Sequence, residues 1–164
     1  MQTIWFFLPA GIANMSASLS KYIPFLDISI SKKYLGKNKT YRGFLFGIIV
    51  AILVTYIQYL LYPNIKLIAI TNYQNFIFLG FLQGFGALLG DSVESFFKRK
   101  KNIPPGKSWF PFDQIDWILG AIILSFLYIK LPISIIIVAL IFAMIAHPLI
   151  NLLGYTLKLQ KNKF

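Results

Sequence analysis

Charged residues in this chain are gathered into a few places, with long intervals between them that carry none. No Asp, Glu, Lys or Arg occurs in residues 1–20, 43–65, 67–90 or 131–157. A helix that crosses the hydrocarbon core of a bilayer needs about 20 predominantly apolar residues. Each of these four intervals therefore predicts a transmembrane helix, placed at residues 3–20, 43–62 (ending at Pro63), 76–97 and 133–155. A further uncharged run, WILGAIILSFLYI at 117–129, has only 13 residues, or about 20 Å of helix. To span, this helix, fourth in chain order, has to include Asp113 and Asp116 at one end and Lys130 at the other. The long Lys130 side chain can reach outward to the interface, and KLP at 130–132 then turns the chain into the last helix.

Composition agrees with this pattern. Of 164 residues 57% are hydrophobic, mean hydropathy is +0.69, and neither an internal repeat nor a flexible linker divides residues 1–164, so a single domain is expected. The first apolar stretch lacks the basic start of a signal peptide, its first Lys being Lys21, and no A-x-A site follows it. It is expected to be retained as a helix. The absence of cysteine excludes disulfides, zinc–thiolate sites and cysteine nucleophiles.

The net charge of +11 could suggest nucleic acid, but its distribution gives a different reason. Six basic residues lie between the first two helices (Lys21, Lys32, Lys33, Lys37, Lys39, Arg42) and five between the third and fourth (Lys98, Arg99, Lys100, Lys101, Lys107). The tail adds Lys158, Lys161 and Lys163, while the other two loops hold only Lys66 and Lys130. Fourteen against two is the bias of cytoplasmic loops. The expected fold is an all-α integral membrane protein of five transmembrane helices in the cell membrane, N-terminus out and C-terminus in. It has two functional cytoplasmic loops and no nucleic-acid partner.

The acidic residues narrow the chemistry. There are five, and four of them (Asp91, Glu94, Asp113, Asp116) fall between positions 91 and 116. On a helix, Asp91, Glu94, Ser95 and Lys98 are spaced i, i+3, i+4, i+7 and share a face. Asp113 and Asp116 form a second i, i+3 pair at the opening of helix four, and the topology brings both sets to the same membrane boundary. Charged groups at that depth are costly and point to function. Hard carboxylate oxygens suit Mg²⁺, which is usually completed by substrate phosphates, and nearby Lys and Arg suit phosphate oxygens. The set reads as a site for a metal–nucleotide complex acting on something in the membrane. The metal would lie between Asp91 and Asp113 or Asp116.

Other motifs have plainer readings. The basic loop YLGKNKTYRG (34–43) has glycines that allow close backbone approach to a ligand, but it lacks P-loop spacing, and membrane-surface attraction explains its charge equally well. Lys100 and Lys101 read as solvated surface charges. The spacings Gly80/Gly84 and Gly86/Gly90 read as close helix packing. His147, four residues before Asn151, reads as a packing pair, and Asn14 has the same standing on composition alone.

The segment GDSVESFFKR (90–99) followed by FDQID (112–116) resembles the signature of CTP-dependent phosphatidate cytidylyltransferases, G-D-x-x-E-S-x-x-K-R and then D-[RQ]-x-D. LPAGIAN (8–14), LGKNKTYRG (35–43), FDQIDWILGA (112–121) and the tail HPLINLLGYTLKL bring the chain closer to the archaeal CDP-archaeol synthase family, over nearly its whole length. Gln114 stands where D-R-x-D has arginine, and NIPPGKSWF (102–110) replaces the bacterial loop elements. The resemblance implies transfer of CMP from CTP to 2,3-bis-O-geranylgeranylglycerol 1-phosphate, giving CDP-archaeol and pyrophosphate, with Mg²⁺ as cofactor. It implies catalytic roles for Asp91, Glu94, Lys98, Arg99, Asp113 and Asp116, with Asp91, Asp113 and Asp116 as metal ligands. Asn14, Lys37, Asn38, Lys39, Thr40, Arg42 and Ser95 would bind CTP or the lipid phosphate. A diacyl acceptor, a cation transporter and a non-catalytic membrane partner are the competing readings.

Overall fold

In the computed structural model, which describes residues 1–104 and 107–156, five helices carry the chain: α1 (Gln2–Leu19), α2 (Tyr41–Ile65), α3 (Phe76–Lys100), α4 (Phe112–Ser125) and α5 (Ile133–Thr156). Short 3-10 turns at Ser20–Tyr22 and Lys66–Ile68 extend α1 and α2. Pro105 and Gly106 of the PPGK stretch, and the basic tail with Lys158, Lys161 and Lys163, lie outside the described residues. Among the described residues there is no strand, only an isolated antiparallel bridge between Ser29 and Thr40.

Three of the helical segments, Tyr41–Ile68, Phe76–Lys100 and Ile133–Thr156, are long and apolar enough to cross a membrane. Three boundaries differ from expectation, the third helix running on to Lys100 instead of ending at 97. The second helix does not stop before Pro63 but runs to Ile65. A proline near a helix end removes one backbone donor without forbidding helical φ, and the preceding Tyr62 is held edge-on against Tyr73. The fourth helix does start early enough to include Asp113 and Asp116, but it ends at Ser125 and not at Lys130. There the amides of Tyr128 and Ile129 both donate to the Ser125 carbonyl at 2.9 Å, closing the last turn.

The central helix is α3, which packs against α1, α2 and α4, while α5 rests on α4 and α1. The two glycine spacings serve two different seams. Gly84 faces α2, where a Cβ would stand 2.6 Å from Ala51 Cβ. Gly90 faces α4, where a Cβ would collide with the Asp116 carbonyl group, 2.9 Å from its carbon and closer to its oxygen. Small residues matter more in lipid than in water, because helix association there depends on close van der Waals contact. The apolar core lies among Phe6, Phe7 and Ala10 of α1, Leu79 and Ala87 of α3, Trp117, Ile118 and Ala121 of α4, and Ala139 and Ala143 of α5. Backbone contact between α3 and α4 fixes how their polar ends face each other.

Candidate active site

The C-terminal half of α3 and the first turn of α4 bring the four clustered carboxylates together beside the α1–α2 loop. One polar cavity of about 210 Å³ is lined by Asp91, Glu94, Ser95, Lys98 and Arg99 of α3 and by Asp113 and Asp116 of α4. Asn14 of α1, residues 35–39 of the loop and His147 of α5 complete it. The loop reaches the cavity because it is tied down. Gly36 takes a left-handed φ of 82°, the Ser29 hydroxyl donates to the Lys37 carbonyl at 3.0 Å, and the Ile30 amide donates to Lys39 at 2.8 Å.

The charges pair across elements. Lys39 of the loop is ion-paired with Asp91 of α3. Lys98 lies between Asp113 at 2.6 Å and Glu94 at 3.2 Å, joining α4 to α3. Asp113 also accepts the Trp109 amide at 2.8 Å, and Asp116 accepts the Trp117 amide at 2.6 Å. By contrast, Nε and Nη1 of Arg99 are buried and donate to nothing among the described residues. A guanidinium with two free donors beside a cavity has the geometry for a phosphate.

The structure assembles a carboxylate trio that differs from the expected one. Asp91, Glu94 and Asp116 each offer an oxygen, all within 4.8 Å of one another. Asp113 is turned instead toward Lys98 and the Trp109 amide. The trio fits a divalent cation by donor chemistry: three hard carboxylate oxygens converge within 4.8 Å of one another. Like charges held this close destabilise one another unless a cation stands between them.

The other expected residues divide. Asn14, Lys37, Asn38, Lys39 and Ser95 line the cavity. Thr40 and Arg42 do not; they hold the loop in place. The Thr40 hydroxyl caps α2 by accepting the Gly43 amide at 3.1 Å. Arg42, 6% exposed, donates to Asp27 at 2.8 Å and to the Ile23 carbonyl. Lys100 is absent from the cavity, and Lys101 lies over the Trp109 ring. His147 does sit 3.5 Å from Asn151, as the pairing predicts, yet it also faces the cavity. Its position near the same end of the bundle as the carboxylates was the available signal.

A second cavity was not anticipated. An apolar groove of about 410 Å³ runs between α3 and α4, lined by Leu89, Val93, Phe97, Trp109, Phe112, Ile115, Leu119 and Ile123. Glu94 and Asp116 belong to both cavities and form the wall between them. A charged chamber and an apolar groove thus adjoin across two shared carboxylates.

Comparison with known proteins agrees. The family described as CarS-like CDP-archaeol synthase matches residues 1–164. The CDP-archaeol synthase of Methanocaldococcus jannaschii is 32% identical over 165 residues, covering 96% of this chain and 93% of that protein. That of Methanospirillum hungatei is 33% identical, covering 94% of this chain and 98% of its own. A solved structure described as an intramembrane enzyme for archaeal membrane lipid biosynthesis superposes with a TM-score of 0.69 at 25% identity, over 91% of this chain and 92% of that one. The chain belongs to the CDP-archaeol synthase family.

Proposed function

We propose that this protein transfers CMP from CTP to the phosphate of 2,3-bis-O-geranylgeranylglycerol 1-phosphate, giving CDP-archaeol and pyrophosphate. The observation that carries this reading is the pair of cavities meeting at Glu94 and Asp116. The charged chamber takes the nucleotide triphosphate, and the groove takes the isoprenoid chains. The two phosphates that must react then meet at the shared wall.

In the reaction an oxygen of the lipid phosphate attacks the α-phosphorus of CTP. A new P–O–P linkage forms, and the bond from the α-phosphorus to the β-phosphate oxygen breaks as pyrophosphate leaves. The attacking phosphate is already an anion, so no strong general base is required. The barrier comes from bringing two polyanions together and from charge building on the leaving group, and fixed cations lower both. Arg99 grips a CTP phosphate through its free donors, while Lys37 and Lys39 approach from the loop. Lys98 holds Glu94 and Asp113 in place. Asp91, Glu94 and Asp116 would hold Mg²⁺. When bound, Mg²⁺ supplies charge neutralisation and orients the phosphates.

We further propose that all five helices span, with the N-terminus outside, the C-terminus inside and the chamber facing the cytoplasm, on the basis of the basic-residue asymmetry. CTP then arrives from water and the acceptor from the leaflet. A transporter reading lacks support, since the four carboxylates gather at one end of the bundle.

Purified protein in lipid vesicles, supplied with α-phosphate-labelled CTP, Mg²⁺ and the geranylgeranyl acceptor, should form labelled CDP-lipid with one pyrophosphate per turnover. No product with this acceptor or with a diacyl phosphate would overturn the reading. Apolar walls discriminate tails poorly, so faster turnover of the diacyl acceptor would reassign the substrate.

A further inference from the structure

The α1–α2 connection contains a stretch that the site does not use. Residues 21–28, KYIPFLDI, are all exposed, with Tyr22 and Phe25 at 62% and Ile28 at 59%. A contiguous set of large apolar side chains facing water marks an interaction surface or an aggregation hazard. The stretch is not held there by a core of its own, because these side chains point away from the bundle.

Its backbone, in contrast, is firmly fixed. The 3-10 turn Ser20–Tyr22 continues directly from α1. Arg42, in the first turn of α2, donates to the Ile23 carbonyl and the Asp27 carboxylate. The amide of Tyr41, the first residue of α2, donates to Ile28 at 3.1 Å. Both ends of the stretch are therefore level with helix termini. It lies along the rim of the bundle, beside the end of α1 and the start of α2.

The flanking charges fit the same setting. Lys21 lies over the Tyr22 ring at 5.0 Å and Lys33 over Tyr34 at 5.3 Å, with Lys32 beside them. Aromatic and aliphatic side chains bordered by lysines at the end of a span are the composition of an interfacial anchor.

We propose that residues 22–28 insert Tyr22, Phe25 and Ile28 into the headgroup–acyl boundary of the bilayer, while Lys21, Lys32 and Lys33 bind anionic lipid headgroups. The bilayer surface then sets the height of the loop that carries Lys37 and Lys39, because Ser29 and Ile30 tie the end of the anchor to that loop. The proposal does not depend on the reaction assigned above.

The chain has no cysteine, so spin labels can be placed singly. Phe25→Cys and Ile28→Cys are compared in proteoliposomes with Leu53→Cys, 55% exposed midway along α2, and with Lys107→Cys in the exposed α3–α4 loop. At positions 25 and 28, collisions with oxygen should exceed those with a water-soluble nickel chelate by about threefold or more, as at 53 and opposite to 107. Replacing anionic lipid by neutral lipid, or introducing Lys32→Gln with Lys33→Gln, should make both positions more accessible to nickel. Nickel-dominated values at both positions in anionic vesicles, in protein that remains monodisperse, would overturn the proposal. Oxygen-dominated values that do not change with lipid charge would overturn its electrostatic half.

Discussion

Alanine at Gly90 should lower turnover even in the fraction of protein that folds. The added Cβ would collide with the Asp116 carbonyl oxygen and lie 2.9 Å from its carbon, whereas ordinary contact begins near 3.4 Å, so α3 and α4 must part by on the order of 1 Å. Overpacking costs about 1–3 kcal/mol and occasionally more, so turnover is compared in the monodisperse fraction alone. The site is affected directly, because Gly90 adjoins Asp91 and the displaced atoms belong to Asp116, two members of the carboxylate trio. Catalytic groups must be held to about 0.5 Å, and a misplacement of about 1 Å costs about 100-fold. The expected loss in specific activity is therefore about 10- to 100-fold in the monodisperse fraction. Two controls separate the effects. Gly84→Ala crowds the α2 seam, with Ala51 Cβ at 2.6 Å, and should lower thermal stability comparably with a smaller loss of turnover. Gly11→Ala meets only the Trp117 ring at 3.6 Å and should leave both unchanged. Parent-like turnover in Gly90→Ala, or equal losses in Gly84→Ala and Gly90→Ala, would refute the claim that this seam sets the carboxylate geometry.

Other substitutions test individual groups. Asp91→Asn keeps the side chain's size but removes a charge from the trio; the protein should fold and lose about 1,000-fold or more in activity, several kcal/mol at about 1.36 kcal/mol per decade, and parent-like activity throughout a Mg²⁺ titration would remove Asp91 from the site. Arg99→Lys retains the charge but loses the planar fork and should raise the KM for CTP about tenfold; an unchanged KM would mean that Arg99 does not hold phosphate. Lys39→Ala should impair turnover while Lys100→Ala does little, and equal small losses would reduce the loop charges to surface attraction. Cysteines at Lys66 and Lys107 should react with an impermeant maleimide from opposite sides of sealed vesicles; labelling from one side would overturn the five-span topology.

The helices were legible because an unpaired charge in hydrocarbon is so costly that its absence over long intervals is itself a signal. Their ends were less so. Pro63 and Lys130 looked like terminators, but helix ends depend on which backbone groups find partners, and Ser125 accepts two amides where no motif announces it. The i, i+3 spacing correctly placed Asp91 and Glu94 on one face. It named Asp113 with Asp91 and Asp116, whereas Glu94 is the carboxylate grouped with those two, because Lys98 reaches from α3 to α4 and engages Asp113. Arg42 looked like a ligand for phosphate, and its partners, Ile23 and Asp27, are close only once the loop has folded back. The apolar groove was invisible for a similar reason: Phe97 of α3 and Phe112 of α4 line one groove only once the two helices are set side by side.

The shortness of α4 bears on how a lipid reaches the wall between the cavities. Fourteen residues give about 21 Å of helix, against a hydrocarbon thickness of about 30 Å. In the five-span arrangement proposed here, thinning of the bilayer beside α4 is one way to meet it, at a cost of fractions of a kcal/mol per Å. The groove opens along this same helix. Such thinning would draw the headgroup layer inward at that place, so an acceptor phosphate would stand closer to Glu94 and Asp116 before any binding occurs. Hydrophobic mismatch, usually counted as a defect to be relieved, would then serve as the delivery route. Membrane thickness would join acceptor concentration as a variable that governs turnover.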